Sequence, residues 1–251
     1  MNESERPGRV NLAAWDLGPE PGGAPTPPVP RGDGGAVDAG SLVVLTAAVS
    51  EEHRTDVVHS ALLAQLVADR KHDRHKDAEA WYPVYGDTLE RIGWVVKQHS
   101  GFGVHRPRRI PCPVETVVLD TLEPVSDEKS RELVAAVWKS LAALPDDDRA
   151  AVIFEENGKA RTVGNFQVLV VDETAGDVVV RLGRFRFRSD RDVPGLRKAK
   201  FSARSTVQRG TQILHLNEQV YAPLRDDITA KLASRVDAFV RPVHMQGESC
   251  A

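Results

Sequence analysis

The stretch from Asn165 to Leu182, NFQVLVVDETAGDVVVRL, predicts a β-hairpin. Two runs rich in β-branched residues flank Asp172-Glu173-Thr174-Ala175-Gly176, a loop of hairpin length with glycine at its end. Most helical periodicity lies before this hairpin, further strand patterns follow it, and one more helical pattern closes the chain. This order predicts an α+β fold in which a largely antiparallel sheet packs against helices, with a C-terminal helix and a disordered N-terminal tail.

The continuation of the hairpin is strongly basic. Between Arg181 and Arg209 the chain has ten Lys or Arg residues and two Asp, a local charge of +8 in a chain whose net charge is −3. Arg184-Phe185-Arg186-Phe187-Arg188 alternates strictly, so as a strand it places Phe on one face and Arg on the other. We therefore expect a basic β-surface that binds an anionic partner. The residues predicted to form it are Arg181, Arg184, Arg186, Arg188, Lys198, Lys200 and Arg204.

Three interpretations of this basic segment stay open. The remainder of the chain carries a charge of −11, so the arginines could pair internally with acidic helices. Alternatively, the segment could bind an anionic membrane surface or an acidic protein partner, since each basic residue near anionic lipid contributes about 1 kcal/mol. Nucleic acid is a less favoured partner, because the alternation turns Phe185 and Phe187 away from the cationic face.

An aromatic helical segment precedes the sheet. Trp81, Val84, Tyr85, Leu89, Ile92 and Val96 recur at helical spacing, and Pro83 is expected in the first turn of that helix. This pattern suggests a second function, a small-molecule binding protein or enzyme with its pocket between the Trp81–Trp94 helix and the sheet. Its candidate residues are Trp81, Tyr85 and Trp94. A third alternative is a subunit of a protein assembly, which could also be a homo-oligomer.

The remaining patterns complete the expected order of elements. An apolar run at 41–46 predicts a first strand, and Ser50 is expected to cap the helix that follows. Residues 114–122 predict a strand, and a helix is expected from Ser126-Asp127. Residues 201–208 and 211–216 predict a hairpin around Arg209-Gly210. Asn217 is expected to cap a single closing helix that extends to Val240.

The chain divides by composition into three parts. Residues 1–40 hold seven of the 16 Pro and eight of the 19 Gly and predict a disordered tail. Residues 41–243 predict one α+β domain, and residues 244–251 a flexible C-terminus. With no signal peptide and no apolar stretch of about 20 residues, the protein is expected to be cytoplasmic as encoded, although non-classical export remains open.

No local cluster predicts a cofactor or a metal site. His72, His75 and Asp77 could bind a cation, but the lysines and arginines interleaved with them oppose it. Gly101-Phe102-Gly103 could present backbone amides to an anion, yet neither a phosphate-binding nor a dinucleotide-binding glycine motif is present. Cys112 and His215 have no assignable catalytic partner. These observations favour a non-enzymatic protein.

The segment from Phe166 to Val178, together with the order of helices and strands, resembles the cytolytic delta-endotoxins of the Cyt type. The resemblance covers roughly residues 165–188. It implies helix layers around an antiparallel sheet and a protein that binds lipid and then rearranges or assembles there. The Pro-rich tail and the closing helix depart from that family.

Overall fold

One mixed sheet with helices on both faces makes up the protein. The structure is a computed structural model that describes residues 10–21, 29, 31–106 and 110–245. In chain order the strands are β1 (Gly34–Asp38), β2 (Ser41–Leu45), β3 (Trp94–His99), β4 (Gly103–His105), β5 (Cys112–Pro113), β6 (Lys159–Ala160), β7 (Val163–Thr174), β8 (Asp177–Arg188), β9 (Lys200–Phe201), β10 (Thr206–Leu216) and β11 (Val240–Val243). The α-helices are α1 (Glu51–Lys71), α2 (Ala78–Arg91), α3 (Val114–Leu122), α4 (Glu128–Ala143), α5 (Arg149–Gly158), α6 (Glu218–Tyr221), α7 (Arg225–Leu232) and α8 (Val236–Phe239).

The main sheet has the strand order β11-β1-β2-β7-β8-β10-β3, with β4 also paired to β10 and β6 to β7. Every pair in it is antiparallel except β2 with β7, which is parallel. A short second ladder joins β5 to β9. The predicted α+β fold with a mainly antiparallel sheet is therefore confirmed.

The β7–β8 hairpin is confirmed, and it is tighter than its sequence suggests. Thr174 pairs with Asp177, so the strands continue through most of the expected loop and the turn consists of Ala175 and Gly176. Both turn residues have positive φ, 52° and 84°. That conformation matches the right-handed twist of the two flanking strands, which explains why a two-residue turn suffices.

Alternation along the central strands divides the interior into two apolar clusters. Leu169 of β7 and Leu182 of β8 face α1 and α2. Phe166 of β7 and Phe185 of β8 face α3, α4 and α5, and their rings stack with centroids 4.7 Å apart. Both faces of the sheet are thus covered, and the middle strands are buried along most of their length.

Two helical predictions differ from the structure. Residues 114–122 form helix α3 and not a strand, because their buried positions (Val114, Val117, Val118, Thr121 and Leu122) recur three to four residues apart. β-branched residues dominate this segment, so its local propensity suggested a strand. Helix α2 begins at Ala78, which places Pro83 in its interior. Pro83 is exposed, so water can bond the carbonyl group that proline leaves without a donor.

The hairpin predicted at 201–216 is wrong, since β10 runs without a break from Thr206 to Leu216. Gly210 lies inside this strand opposite Arg184. A Cβ atom at Gly210 would lie 3.0 Å from the carbonyl oxygens of Ser100 and Gly101. Glycine is therefore required here for close approach of the backbone and not for a turn.

The closing helix is also interrupted. Pro223 lies in a short 3₁₀ turn, Ala222–Leu224, which separates α6 from α7. After α8 the chain becomes strand β11, which pairs with β1. The sequence predicted neither β1 nor β11. Strand β1 consists largely of glycine and other small residues, and β11 contains Pro242, so neither has a typical strand pattern.

The boundary predicted for a disordered tail at residue 40 is wrong, because every residue of β1 is buried in the sheet. Residues 10–21 also pack on the domain: Leu12 and Leu17 are buried, and Arg235 donates a hydrogen bond to the Gly18 carbonyl oxygen at 2.8 Å. The rest of that prediction falls on residues 1–9, 22–28 and 30, outside the described part, as do residues 246–251 of the predicted flexible C-terminus. Within the described ranges, the helices are too short or too polar to cross a membrane.

Candidate functional site

The predicted alternation of β8 is confirmed. Phe185 and Phe187 are buried against α3–α5, and Arg184 and Arg186 lie on the opposite face of the sheet, next to α2. Arg181 is three residues before Arg184, and an odd spacing along a strand places two side chains on opposite faces. Arg181 therefore lies on the same face as the two Phe rings. The basic residues of this strand consequently do not share one surface.

A groove of about 630 Å³ lies between α2, the strands β8 and β10, and the loop that joins β3 to β4. This volume is within the range of about 300–1,000 Å³ that small-molecule sites occupy. Tyr82 and Pro83 of α2 contribute an apolar wall, and Phe102 of the β3–β4 loop lies 4.9 Å from the Tyr82 ring, measured between ring centroids. Arg184 and Arg186 supply the cationic side of the groove.

Arg184 is a buried cation without a carboxylate partner. Its side chain is enclosed by aromatic rings, with the guanidinium 4.9 Å from the Phe102 centroid and 5.6 Å from that of Tyr82. Nη2 donates to the Ser100 carbonyl oxygen at 2.7 Å, and the buried Nε has no acceptor. Among the described residues no carboxylate lies within ion-pair distance of it. Burial lowers the pKa of Arg184, as expected for a desolvated cation.

Arg186 extends the cationic side toward solvent. It also stacks on Phe102, with its guanidinium 5.1 Å from the ring centroid. Nη2 lies 3.2 Å from Oε1 of Glu79, whose side chain is 81 % exposed. Ion pairs with one partner this exposed contribute little to stability, so Glu79 can be displaced by a stronger anion at small cost.

His99 lies beside Arg184 in the same groove. Its Nε2 is 3.4 Å from Arg184 Nη2. Burial and the positive charge of Arg184 together lower the pKa of His99. A neutral imidazole can accept a hydrogen bond, and it adds no positive charge to a groove that already has two guanidinium groups.

The aromatic residues predicted to form a pocket lie behind the groove and not in its lining. Trp81, Tyr85 and Trp94 are almost fully buried, and the rings of Trp81 and Tyr85 stack 5.2 Å apart. The groove lies between α2 and the sheet, and the aromatic residues that line it are Tyr82 and Phe102, whereas Trp94 lies in β3 and not in the helix. Tyr82 directly follows Trp81, and the rotation of about 100° per residue along a helix turns it toward the groove.

Three of the predicted surface residues, Lys198, Lys200 and Arg204, line a second cleft of about 1020 Å³. Its cations alternate with acidic side chains. Lys198 lies 2.9 Å from Asp146, and Arg204 lies 3.7 Å from Asp190. The cleft is therefore mixed in charge, which corresponds to the internal pairing that the acidic remainder of the chain suggested.

Other residues that the sequence singled out have local structural contacts. His72 Nδ1 lies 2.9 Å from Asp77 at the α1–α2 junction, and His215 Nδ1 lies 3.1 Å from Asp177. Cys112 is buried, and burial raises the pKa of its thiol, which makes it a poor nucleophile.

No protein-family model matches the chain, and no curated protein matches it. Among solved structures, the chain is similar to one described as the structure of the Evf virulence factor. The superposition covers 88 % of this chain and 95 % of that chain, with a TM-score of 0.36 and 8 % sequence identity. A likeness at this level carries no argument about function, and no Cyt-type family is shown by it.

Proposed function

We propose that this protein binds a small anionic ligand with an aromatic or apolar part, in the groove between α2 and the sheet, and that its role is binding and not catalysis. The observation that carries this proposal is Arg184. A buried guanidinium without a carboxylate partner is costly, because burial removes its hydration and nothing of opposite charge replaces it. A ligand carboxylate or phosphate would supply the missing charge.

The chemistry of the groove agrees with such a ligand. Arg184 and Arg186 stack on the same ring, Phe102, and paired guanidinium groups are well suited to carboxylate and phosphate oxygens. The faces of Tyr82 and Phe102 offer contact to a planar or apolar ligand body. His99 and Gln212 add neutral polar groups that can fix its orientation.

Thermal-shift and calorimetric titrations test the proposal on the whole protein. The probes are phenyl phosphate and benzoate, with inorganic phosphate and benzyl alcohol to separate the contributions of charge and ring. We expect phenyl phosphate or benzoate to raise Tm more than inorganic phosphate or benzyl alcohol does. Arg186→Gln should weaken its binding about tenfold, which corresponds to about 1.4 kcal/mol, the loss typical of one charge-assisted hydrogen bond.

Arg188→Gln is the matched control. Arg188 lies two residues further along β8, is exposed and does not line the groove. Gly86→Leu provides a second, uncharged perturbation, because a Cβ at Gly86 meets nothing within 4 Å and a larger side chain there would fill the groove. Equal binding by the Arg186→Gln and Arg188→Gln proteins, or no response to any anion, would contradict the proposal.

A second candidate retains the predicted basic surface as a site for an anionic partner. Lys198, Lys200 and Arg204 converge on one cleft, and Lys200 is exposed and forms no ion pair among the described residues. An anionic membrane is the partner we propose for this cleft. Flotation with phosphatidylserine vesicles should then show binding at low salt that Lys200→Glu weakens by roughly fivefold or more, since each basic residue contributes about 1 kcal/mol. Equal flotation with phosphatidylcholine vesicles would exclude an electrostatic role.

A further inference from the structure

A cluster of metal-ligating side chains lies apart from both clefts, where the first turn of α1 meets the start of α6. Glu52 and His53 come from α1, and Glu218 comes from α6. One ligand atom from each of the three lies within 4.8 Å of the others. His53 Nε2 and Glu218 Oε2 are 3.6 Å apart. The donors of a tetrahedral Zn²⁺ site are about 3.3 Å apart, given metal–ligand bonds of about 2.0 Å.

Glu173 orients the imidazole of His53. Its Oε2 lies 2.9 Å from His53 Nδ1, and the same oxygen accepts a hydrogen bond from the Ser50 amide at 2.8 Å. Nδ1 is thus on the side of Glu173, and Nε2 is on the side of Glu218, 3.6 Å from its Oε2. A carboxylate that holds the far nitrogen of a histidine in this way is the usual outer partner of a metal-bound imidazole.

The side chains around the cluster have an excess of negative charge that one more cation could balance. Arg225 contacts Glu52 and Glu218 through their Oε1 atoms, at 3.4 and 2.5 Å, and also binds Asp56. Glu218 Oε2 is shielded from solvent and has no hydrogen-bond partner. One guanidinium thus contacts three carboxylates, those of Glu52, Asp56 and Glu218, and a fourth, that of Glu173, lies beside His53. This excess of negative charge outweighs the positive end of the α1 dipole, which amounts to about half an elementary charge.

We propose that Glu52, His53 and Glu218 bind a divalent transition-metal cation, Zn²⁺ or Mn²⁺. One imidazole nitrogen with two carboxylate oxygens suits these ions better than Ca²⁺ or Mg²⁺, which prefer oxygen ligands alone. Each carboxylate can bond Arg225 through Oε1 and the metal through Oε2. Three protein ligands leave at least one coordination position open to water or to a small ligand.

Isothermal titration of the metal-free whole protein with ZnCl₂, repeated with MnCl₂ and MgCl₂, tests the site. We expect one Zn²⁺ per chain, weaker or absent Mg²⁺ binding, and loss of Zn²⁺ affinity by at least tenfold in Glu52→Gln. The side chain of Glu52 is 61 % exposed, so this variant should fold. Glu51→Gln is the matched control, because it makes the same chemical change at the neighbouring residue, whose side chain is 77 % exposed and pairs with Arg31.

One further readout separates this site from other histidines. His72→Ala should leave binding unchanged, since His72 lies at the α1–α2 junction beside Asp77. The proposal is overturned by an absence of saturable binding, by equal losses in Glu51→Gln and Glu52→Gln, or by loss of binding in His72→Ala.

Discussion

Arg197 donates a hydrogen bond from Nη1 to the carbonyl oxygen of Leu144 at 2.6 Å, directly after the last turn of α4. The same nitrogen donates to the Leu141 carbonyl oxygen at 3.1 Å, and Nε lies 3.5 Å from Glu155. A buried guanidinium thus donates to two carbonyl oxygens at the end of a helix, where intrahelical donors run out. The sequence marked this region as a basic surface, whereas at Arg197 the positive charge is part of the interior.

We expect Arg197→Met to lower the free energy of unfolding by about 3 kcal/mol, because it removes the cationic partner of Glu155 and the donor to several carbonyl oxygens at the end of α4. Lys198→Met is the matched control. Lys198 shares Asp146 with Arg197, but its side chain is 51 % exposed, so the loss should stay below about 1 kcal/mol. Urea denaturation of both variants measures the difference, and equal losses would contradict a structural role for Arg197.

Replacement of two glycines by alanine should change the stability of the protein in opposite directions. A Cβ at Gly164 would lie 1.9 Å from the ring of Phe187, so Gly164→Ala should destabilise the protein by about 2 kcal/mol through overpacking. Gly86 lies inside α2 with open space around it, and Gly86→Ala should stabilise by about 0.5–1 kcal/mol through helix propensity. Thermal unfolding of the two variants provides the measurement. A stabilised Gly164→Ala protein would show that this strand packs differently.

Asp38 should make the protein less stable as the pH rises. Both of its carboxyl oxygens are buried without hydrogen-bond partners, and burial raises its pKa well above the ordinary value of 3.8, against an opposing effect of Arg74. Unfolding releases this proton once the pH exceeds the ordinary value, so stability falls with pH from there up to the raised pKa. Asp38→Asn should therefore be more stable than the wild type at pH 7, with the gain disappearing toward pH 4.

The control for Asp38 is Asp87→Asn, an exposed position on α2. Chemical denaturation at several pH values gives the difference in unfolding free energy for each variant. A gain from Asp38→Asn that is the same at pH 4 and pH 7 would show that ionisation of Asp38 has no part in it.

His59 should have the opposite pH dependence. Burial lowers its pKa from 6.5 to about 4, so the folded protein keeps the ring neutral where the unfolded chain protonates it. The stabilisation is complete above pH 6.5 and is lost as the pH falls toward 4, with a total of about 3 kcal/mol at about 1.4 kcal/mol per pKa unit. His59→Asn should remove that part of the acid sensitivity.

The elements that the sequence predicts well are those in which local pattern and tertiary burial agree. The β7–β8 hairpin joins two runs rich in β-branched residues through a turn with glycine, and both strands are largely buried. Helix α1 combines an extended run of apolar residues with a Ser50 cap whose Oγ accepts from the His53 amide. Where the two disagree, the prediction fails. The β-branched residues of α3 form a helix because a spacing of three to four residues places them against the sheet. Strands β1 and β11 exist because each pairs with the other, a relationship that no local pattern contains.

The candidate groove was predictable in place but not in composition. Alternation indicated correctly that Arg184 and Arg186 share a face, and the aromatic helix indicated which side of the sheet could hold a pocket. The contribution of Phe102 depends on how the β3–β4 loop folds over Arg184. Its sequence signal, a Gly-Phe-Gly run, matches no phosphate-binding motif and so does not indicate this role. Likewise Glu218 joins Glu52 and His53 only through folding, so no spacing in the sequence could predict this cluster.

The parallel contact between β2 and β7 has a consequence for the order in which the fold can form. Ser41 bonds Gln167 across 126 residues of chain, and β1 pairs with β11, the last of the described strands. Such contacts form slowly, because a long loop must close before any bond is gained. During synthesis the hairpin can assemble locally, whereas β1 cannot find its outer neighbour until β11 has been made. Until then the outer side of β1 is an unpaired sheet edge that can pair with another chain.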